Sequence, residues 1–335
     1  MSTARTRWGI LATGGIAHSF AEDLALIPDA ELVAVGSRSQ ASADAFGDEF
    51  DVAHRHPSYA ALVTDPDVDA VYVSPPHPGH HAATLAAIAA GKAVLVEKPF
   101  AMNLAESREM VDAARAAETL LMEAMWTRFL PHMVRVREIL AAGTLGEIVY
   151  LTAEHGQWFP KDETHRLFAP DLGGGALLDL GIYPLSFASM VLGTPSEVTA
   201  LSTAAFTGVD ATTSMILRYE TGAHAVLTTT LAARSNNPAV IYGSQGRLEI
   251  DGWFYTPGGI RVIGHDGTEL ERFDPPWEGR GMQYEAAELG RCLAAGLLES
   301  PALPLDETLS IMATMDEIRR QIGLIYPGEV ATTTP

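Results

Sequence analysis

The stretch "GILATGGIAHSF", residues 9–20, runs from apolar residues through a glycine pair into an amphipathic segment. That order predicts a strand, a tight turn and a helix that begins at once. Ala12, Thr13, Gly14, Gly15 and Ile16 occupy the positions of a G-x-G-x-x-A turn, with Ala12 where the first glycine is usual and Ala17 at the end. At Gly14 a side chain would hold a ligand off the backbone, and the first N–H groups of the following helix have no intrahelical partner. A plain Gly-Gly turn reads the same letter by letter. Its place between the first strand and the first helix is what points to a dinucleotide pyrophosphate.

Outward from this turn, Val-, Ile- and Leu-rich runs near 7–12, 31–36, 69–74, 93–97 and 119–124 alternate with Ala-rich amphipathic stretches at about 15–26, 40–49, 80–90 and 104–117. Parallel strands joined by crossover helices give this pattern, so a doubly wound Rossmann domain of the α/β class is expected over 1–124. The second strand, "ELVAVGSRS", ends on Ser37 and Arg38 rather than on the acid that would bind a ribose 2′-hydroxyl. A guanidinium beside a hydroxyl suits a 2′-phosphate, so NADP is the expected cofactor and NAD the alternative. An ordinary solvated arginine is the competing reading.

After a helix near 129–142 the texture changes. The segments "EIVYLTAEHG", "EVTALSTAAF", "TTSMILRYE", "AHAVLTTTLA", "RLEIDGWF" and "GIRVIGHDG" follow one another with turn signals and few helices between them, and helical periodicity returns at about 282–296 and 306–322. A second α/β domain over 125–335 is expected, built on a large, mostly antiparallel open sheet.

At 335 residues the chain exceeds what one core usually serves, in keeping with two domains. Its 22 basic and 42 acidic residues leave a net charge of -20, with no basic cluster to meet nucleic acid. The single cysteine, Cys292, cannot form an internal disulfide. His155, Glu163, His165 and Asp171 match no zinc-ligand spacing, so no metal is expected. Gly14-Gly15, His18 and Glu22-Asp23 interrupt any secretory signal, and no apolar run is expected to reach the roughly 20 residues of a membrane span. These readings favour the cytoplasm and speak against membrane or nucleic-acid partners.

Two further stretches carry candidate chemistry. "AVLVEKPF", residues 93–100, stops a core strand at Glu97, Lys98 and Pro99. Strands often leave the core at a charge, and proline cannot extend a ladder. Open α/β sheets also bind ligands beyond the carboxyl ends of their strands, and Lys98 sits at one. "GGGALLDLGIYPL", residues 173–185, puts Asp179 and Tyr183 on one face if the segment is helical, behind three glycines that would let the backbone approach a cofactor or substrate. A core helix with a packed tyrosine ring competes with that reading.

The glycine turn, "VSPPHPGH" at 73–80 and "VEKP" at 96–99 together resemble the glucose-fructose oxidoreductase/inositol dehydrogenase (Gfo/Idh/MocA) family over nearly the whole chain. "MEAMWTRFLP" at 122–131 and "RLFAPDLGGGALLDLGIYPL" at 166–185 resemble its dihydrodiol and D-xylose dehydrogenase branch. The resemblance implies an oxidoreductase moving hydride between a sugar or diol carbinol carbon and a nicotinamide. It implies that Lys98 lies beside the nicotinamide, with a cis peptide at Pro99 and Glu97 as the motif's acid. Tyr183 is then the proton donor or acceptor, and Asp179 orients the substrate hydroxyl or Lys98. An unperturbed phenol titrates near pH 10, and a nearby ammonium favours the phenolate.

The resemblance also implies a cofactor-side place for Ser74, Pro75, His77, His80, Trp126 and Arg128, although Pro75 and His77 depart from the family's usual T-P-N-x-x-H. Trp158, Phe159, Arg166 and Phe254 are candidate walls of a substrate pocket, since aromatic faces suit sugar C–H surfaces and planar diols; each also suits a core. A homodimer or higher homo-oligomer joined through the exposed face of the C-terminal sheet is implied as well. The alternatives are an NAD-dependent inositol or polyol dehydrogenase and a catalytically silent dinucleotide-binding regulator. Intact Lys98, Asp179 and Tyr183 argue against the second.

Overall fold

The computed structural model describes residues 5–329. By its internal contacts the chain forms two compact units, one reaching to residue 129 and taking up 278–309, the other comprising 130–277 and the chain from 310.

In the first unit, β1 (Thr6–Leu11), β2 (Ala30–Gly36), β3 (His54–His56), β4 (Ala70–Val73), β5 (Ala93–Glu97) and β6 (Leu121–Ala124) make a six-stranded sheet in the order β3-β2-β1-β4-β5-β6. Every pairing is parallel. Helices α1 (Gly15–Leu24), α2 (Gln40–Phe50), α3 (Tyr59–Val63), α4 (His80–Ala89) and α5 (Leu104–Ala116) carry the chain back between strands. β4 and β5 are buried at every residue, as strands covered on both faces must be. Local side-chain caps start three of these helices: Ser58 Oγ accepts the Ala61 N–H at 3.1 Å ahead of α3. Ser39 Oγ accepts the Ser42 N–H at 3.2 Å, and Asn103 Oδ1 accepts the Glu106 N–H at 2.9 Å. β3, with the sequence His-Arg-His, offers no apolar run and was not among the expected strands.

In the second unit, α6 (Pro131–Ala141) leads into β7 (Ile148–Gly156). After α7 (Ile182–Leu192) come β8 (Glu197–Ala204), β9 (Asp210–Arg218), β10 (His224–Thr230), β11 (Ala239–Gly243), β12 (Gly246–Ile250), β13 (Ile260–Gly264) and β14 (Glu269–Phe273). The eight strands run in the order β14-β13-β12-β11-β7-β10-β9-β8. β7 and β10 pair in parallel and the other neighbours are antiparallel. This is the expected mostly antiparallel sheet, with β11 and β14 added to the strands foreseen.

One stretch exceeds the expected limit on apolar runs. Pro170–Leu192 is long and apolar enough to cross a membrane by composition, with hydropathy 1.5, but 78% of that window is buried inside the protein. Leu177, Leu178, Ile182 and Phe187 account for its apolarity as core residues.

The boundary expected at 124/125 differs from the observed division, because the chain returns to the first unit. Buried Asp23 of α1 accepts the backbone N–H groups of Arg280, Gly281 and Met282 at 2.8, 2.8 and 2.7 Å. α8 (Gln283–Ala294) then buries Ala286, Leu289 and Cys292, and α9 (Leu305–Ile322) follows. A carboxylate bonded to three amides is a strong anchor, since charge-assisted hydrogen bonds are about twice as strong as neutral ones. Nothing in the local sequence of 278–309 announces which sheet it joins.

Candidate active site

The sheet order of the first unit reverses direction between β1 and β4, the switch point at which such sheets bind ligands. Around it the chain supplies three loops. Thr13 Oγ1 after β1 lies 3.5 Å from Oγ of buried Ser37 after β2, and Ser74 Oγ after β4 donates to the Leu11 carbonyl at 2.8 Å. Arg38 is exposed at the end of β2. Ala12 has φ 79, the left-handed region that glycine occupies freely, so alanine there costs about 1 kcal/mol.

α1 starts at Gly14 without a side-chain cap, and Gly14 has φ -79, a value any residue adopts. A Cβ built on Gly14 or on Gly15 meets no atom of the described residues within 4 Å. Nothing in the chain itself demands glycine at either place. Close approach of a phosphate to an uncapped helix start does demand it, so these residues fit a dinucleotide.

At the end of β5 the peptide between Lys98 and Pro99 is cis. Glu97 is buried; its Oε1 accepts from the Tyr72 hydroxyl and its Oε2 accepts the Lys98 N–H at 3.1 Å. His80 is also buried, with Nδ1 2.9 Å from the Pro99 carbonyl and Nε2 2.9 Å from that of Pro75. Burial holds His80 down to about 3, so the ring is neutral and its one N–H serves one carbonyl at a time. Either way it straps the loop after β4 to the chain beside Lys98.

Behind this edge lie further acids. Burial lifts Glu123 to about 7, against a hydrogen bond from Thr308. Burial, and then the charges of Glu97, Asp23 and Glu123, push Glu285 well above the carboxylate range. Trp126 and Arg128 follow β6. Arg128 is buried on Glu307 at 2.5 Å, and Arg280 lies over the Trp126 ring at 5.7 Å.

In the second unit, residues Leu177–Gly181 form a π-helical turn that runs directly into α7. Asp179 lies in that turn and Tyr183 in the first turn of α7, and both are buried. π-turns of this kind are frequent at functional sites. Asp179 accepts both arms of Arg166, at 2.9 and 3.2 Å, while the Arg166 side chain remains 54% exposed. A bidentate pair fixes the guanidinium plane.

His155 of β7 completes the cluster. Its Nδ1 lies 3.2 Å from the Leu180 carbonyl, inside the π-turn, and its ring packs edge-on to Tyr183 and stacks on Tyr255. Gln157 Nε2 stands 3.0 Å from His155 Nε2 and donates to the Tyr255 hydroxyl at 3.3 Å.

The two halves of the chain match known families at both ends. Residues 6–125 match an oxidoreductase family with an NAD-binding Rossmann fold, and residues 133–249 match the GFO/IDH/MocA C-terminal domain. The chain belongs to the GFO/IDH/MocA oxidoreductase family. Trans-1,2-dihydrobenzene-1,2-diol dehydrogenase of Bos taurus is 39% identical over 96% of this chain and 98% of its own length. The NADP(+)-dependent D-xylose 1-dehydrogenase of Hypocrea jecorina is 38% identical over 97% and 94%. Among solved structures, an aldose-aldose oxidoreductase from Caulobacter crescentus, complexed with glycerol, aligns with TM-score 0.86 and 26% identity over 95% of this chain and 97% of that one. This family member is thus a dehydrogenase whose first unit is its nicotinamide-dinucleotide domain.

Several residues of this oxidoreductase stand where sequence reasoning did not put them. Two of the three glycines, Gly174 and Gly175, are required by the chain's own packing. A Cβ on Gly174 would lie 2.7, 2.8 and 2.9 Å from the carbonyls of Leu167, Arg166 and Ala169. Gly175 has φ +121, and a Cβ there would lie 2.2 Å from Asp210 Oδ1. It is the chain's own turn that needs them. Phe254 is a core residue packed on Phe187, not a pocket wall, because its neighbour Trp253 (φ 64) takes the outward place. Trp158 is exposed and Phe159 is half-buried against the Leu167, Phe168 and Leu180 cluster. His155 and Tyr255, which sequence alone gave no reason to join to Tyr183, are the rings that touch it.

Proposed function

We propose that the protein is an NADP-dependent dehydrogenase acting on a hydroxyl carbon of a sugar or cyclic diol. The observation that carries this reading is the π-turn that sets Tyr183 one turn beyond an Asp179 already clamped to an outward-facing Arg166. The names of the dihydrodiol and D-xylose dehydrogenase relatives support the substrate class, and exposed Arg38 beside Ser37 supports the 2′-phosphate.

Residues Ala12 to Ile16 would hold the pyrophosphate, Ser37 and Arg38 the adenosine phosphate, and Ser74, Pro75, His77 and Trp126 the nicotinamide side. His80, Glu97 and Arg128 keep those loops in place through the bonds already described. The dinucleotide, when bound, supplies the hydride acceptor. Tyr183 takes the proton of the substrate hydroxyl, and the Lys98 ammonium stabilises the negative charge that develops on that oxygen. Asp179 fixes Arg166, which is 54% exposed and binds a neighbouring hydroxyl; Trp158 and Phe159 flank the substrate. Reduction runs through the same groups in reverse.

Tyr183→Phe should lower kcat by about 10²–10⁴-fold, the usual worth of a general acid or base, with NADP affinity unchanged. Turnover near the wild-type value would refute the role. A lower KM for NAD than for NADP would refute the cofactor choice.

We infer further that two copies pair through the open face of the large sheet. Thr199, Ile216, Val226, Thr152 and Val240 stand opposite one another across five strands, and Ile216 and Val226 are 50% and 44% exposed. Val226→Glu should convert a sedimenting dimer to monomer; a monomeric wild type would contradict this. Buried, unpaired Cys292 supports a cytoplasmic setting, and recovery in the membrane fraction would contradict it.

A further inference from the structure

Two histidines and an aspartate of the first unit meet outside the site described above. His54 and His56 are alternate residues of β3 and so project from one face of the strand. Asp65, just beyond α3, faces them: its Oδ2 lies 2.7 Å from His54 Nδ1 and 2.8 Å from His56 Nε2. The ligand atoms of the three residues all lie within 4.8 Å of one another.

The carboxylate is fixed from behind. Its Oδ1 accepts the Asp67 N–H at 2.9 Å, and Lys92 Nζ donates to the carbonyls of Asp65 and Val68, both at 2.7 Å. Burial acts to raise the Asp65 carboxyl, but hydrogen bonds from Asp67, His56 and His54 outweigh it and hold the group at about 2. Asp65 Oδ2 is thus held facing both rings.

We propose that His54, His56 and Asp65 bind a divalent transition-metal ion of the zinc class, with water in the fourth position. Two imidazoles and one carboxylate suit such an ion, whose Zn–N and Zn–O bonds of about 2.0–2.2 Å set ligand atoms about 3.3 Å apart. The observed contacts widen by about half an ångström to reach that spacing. The His54 side chain is 40% exposed.

On the ion, each ring presents its inner nitrogen to the metal and carries an N–H on the outer nitrogen. For His54 that outer nitrogen is Nε2, and Asp67 Oδ2 stands 4.0 Å from it, close enough to become its acceptor once the ring shifts onto the ion. Arg7 holds the other Asp67 oxygen at 3.0 Å. Carboxylate–histidine–metal relays are built this way. The ion ties edge strand β3 to the connection between α3 and β4.

The test is calorimetric titration of the chelator-treated full chain with Zn²⁺, with Co²⁺ as a visible-absorption probe. One equivalent should bind per chain with a tetrahedral Co²⁺ spectrum. His54→Ala and His56→Ala should each weaken binding roughly 100-fold or more, and Asp67→Ala by about 10–100-fold. His265→Ala, an exposed histidine elsewhere, should change nothing. If His56→Ala does not fold by circular dichroism, His54→Gln at the more exposed position gives the same reading. No saturable Zn²⁺ binding by the wild type, or binding indifferent to His54 and His56, overturns the proposal and leaves the trio a hydrogen-bond network.

Discussion

A Cβ added at Gly14 or Gly15 enters open space, whereas one added at Gly174 or Gly175 strikes backbone carbonyls or a buried carboxylate at 2.2–2.9 Å. Both runs stand just ahead of a helix that carries a functional segment, and in the sequence they read alike. The first keeps its glycines for something that is not protein, since neither space nor dihedral angle requires them. The second keeps them for its own fold: Gly175 sits at φ +121 against Asp210, and the Gly174 carbonyl accepts from the Tyr326 hydroxyl at 2.6 Å. We propose that glycine in one unit marks a ligand, and in the other a backbone folded tightly enough to aim Asp179 and Tyr183.

The sharpest way to break this comparison is at Gly175. Gly175→Ala puts a side chain into Asp210 at a positive φ, and should cost about 3 kcal/mol or more in chemical denaturation, from steric conflict and dihedral strain together. A variant as stable as the wild type would mean that the turn is not crowded as described.

Asp210 gives the next largest effect. It accepts the Leu177 N–H at 2.8 Å and the Thr213 hydroxyl at 2.7 Å, and burial raises it from 3.8 to about 6. Between those values the folded state binds this proton more tightly than the unfolded chain does. The group's contribution to stability is therefore fully present at low pH and is lost as pH rises through about 6, by up to about 3 kcal/mol. Asp210→Asn cannot ionise, so its stability relative to wild type should improve across that window when urea midpoints are compared at pH 4 and 7. A difference independent of pH would contradict a carboxyl held protonated behind the glycine run.

Much of this was legible beforehand because it is local. The glycine turn, the alternation of strands and helices, the strand end at Glu97-Lys98-Pro99 and the Asp179/Tyr183 spacing all lie within a few residues of themselves. What escaped depends on residues far apart. β3 is three residues long and polar, so only its pairing with β2 makes it a strand. The return of 278–309 depends on Asp23, and the setting of Tyr183 depends on His155 and Tyr255 from separate strands and loops. Arg166 and Asp179 were each singled out, but their pairing across a turn was not. The crowding at Gly174 and Gly175 could be seen only once the 166–169 carbonyls and Asp210 had been placed against them.

The most direct measurement makes the same substitution in the open run. Serine at position 14 can cap α1, so Gly14→Ser should leave the denaturation midpoint within about 0.5 kcal/mol of wild type. Its hydroxymethyl group occupies the space reserved for pyrophosphate, so NADP affinity by fluorescence titration should fall roughly tenfold or more. Unchanged stability with lost affinity is the expected result. Unchanged stability with undiminished NADP binding would contradict the account, because the open glycines would then be holding a place for nothing.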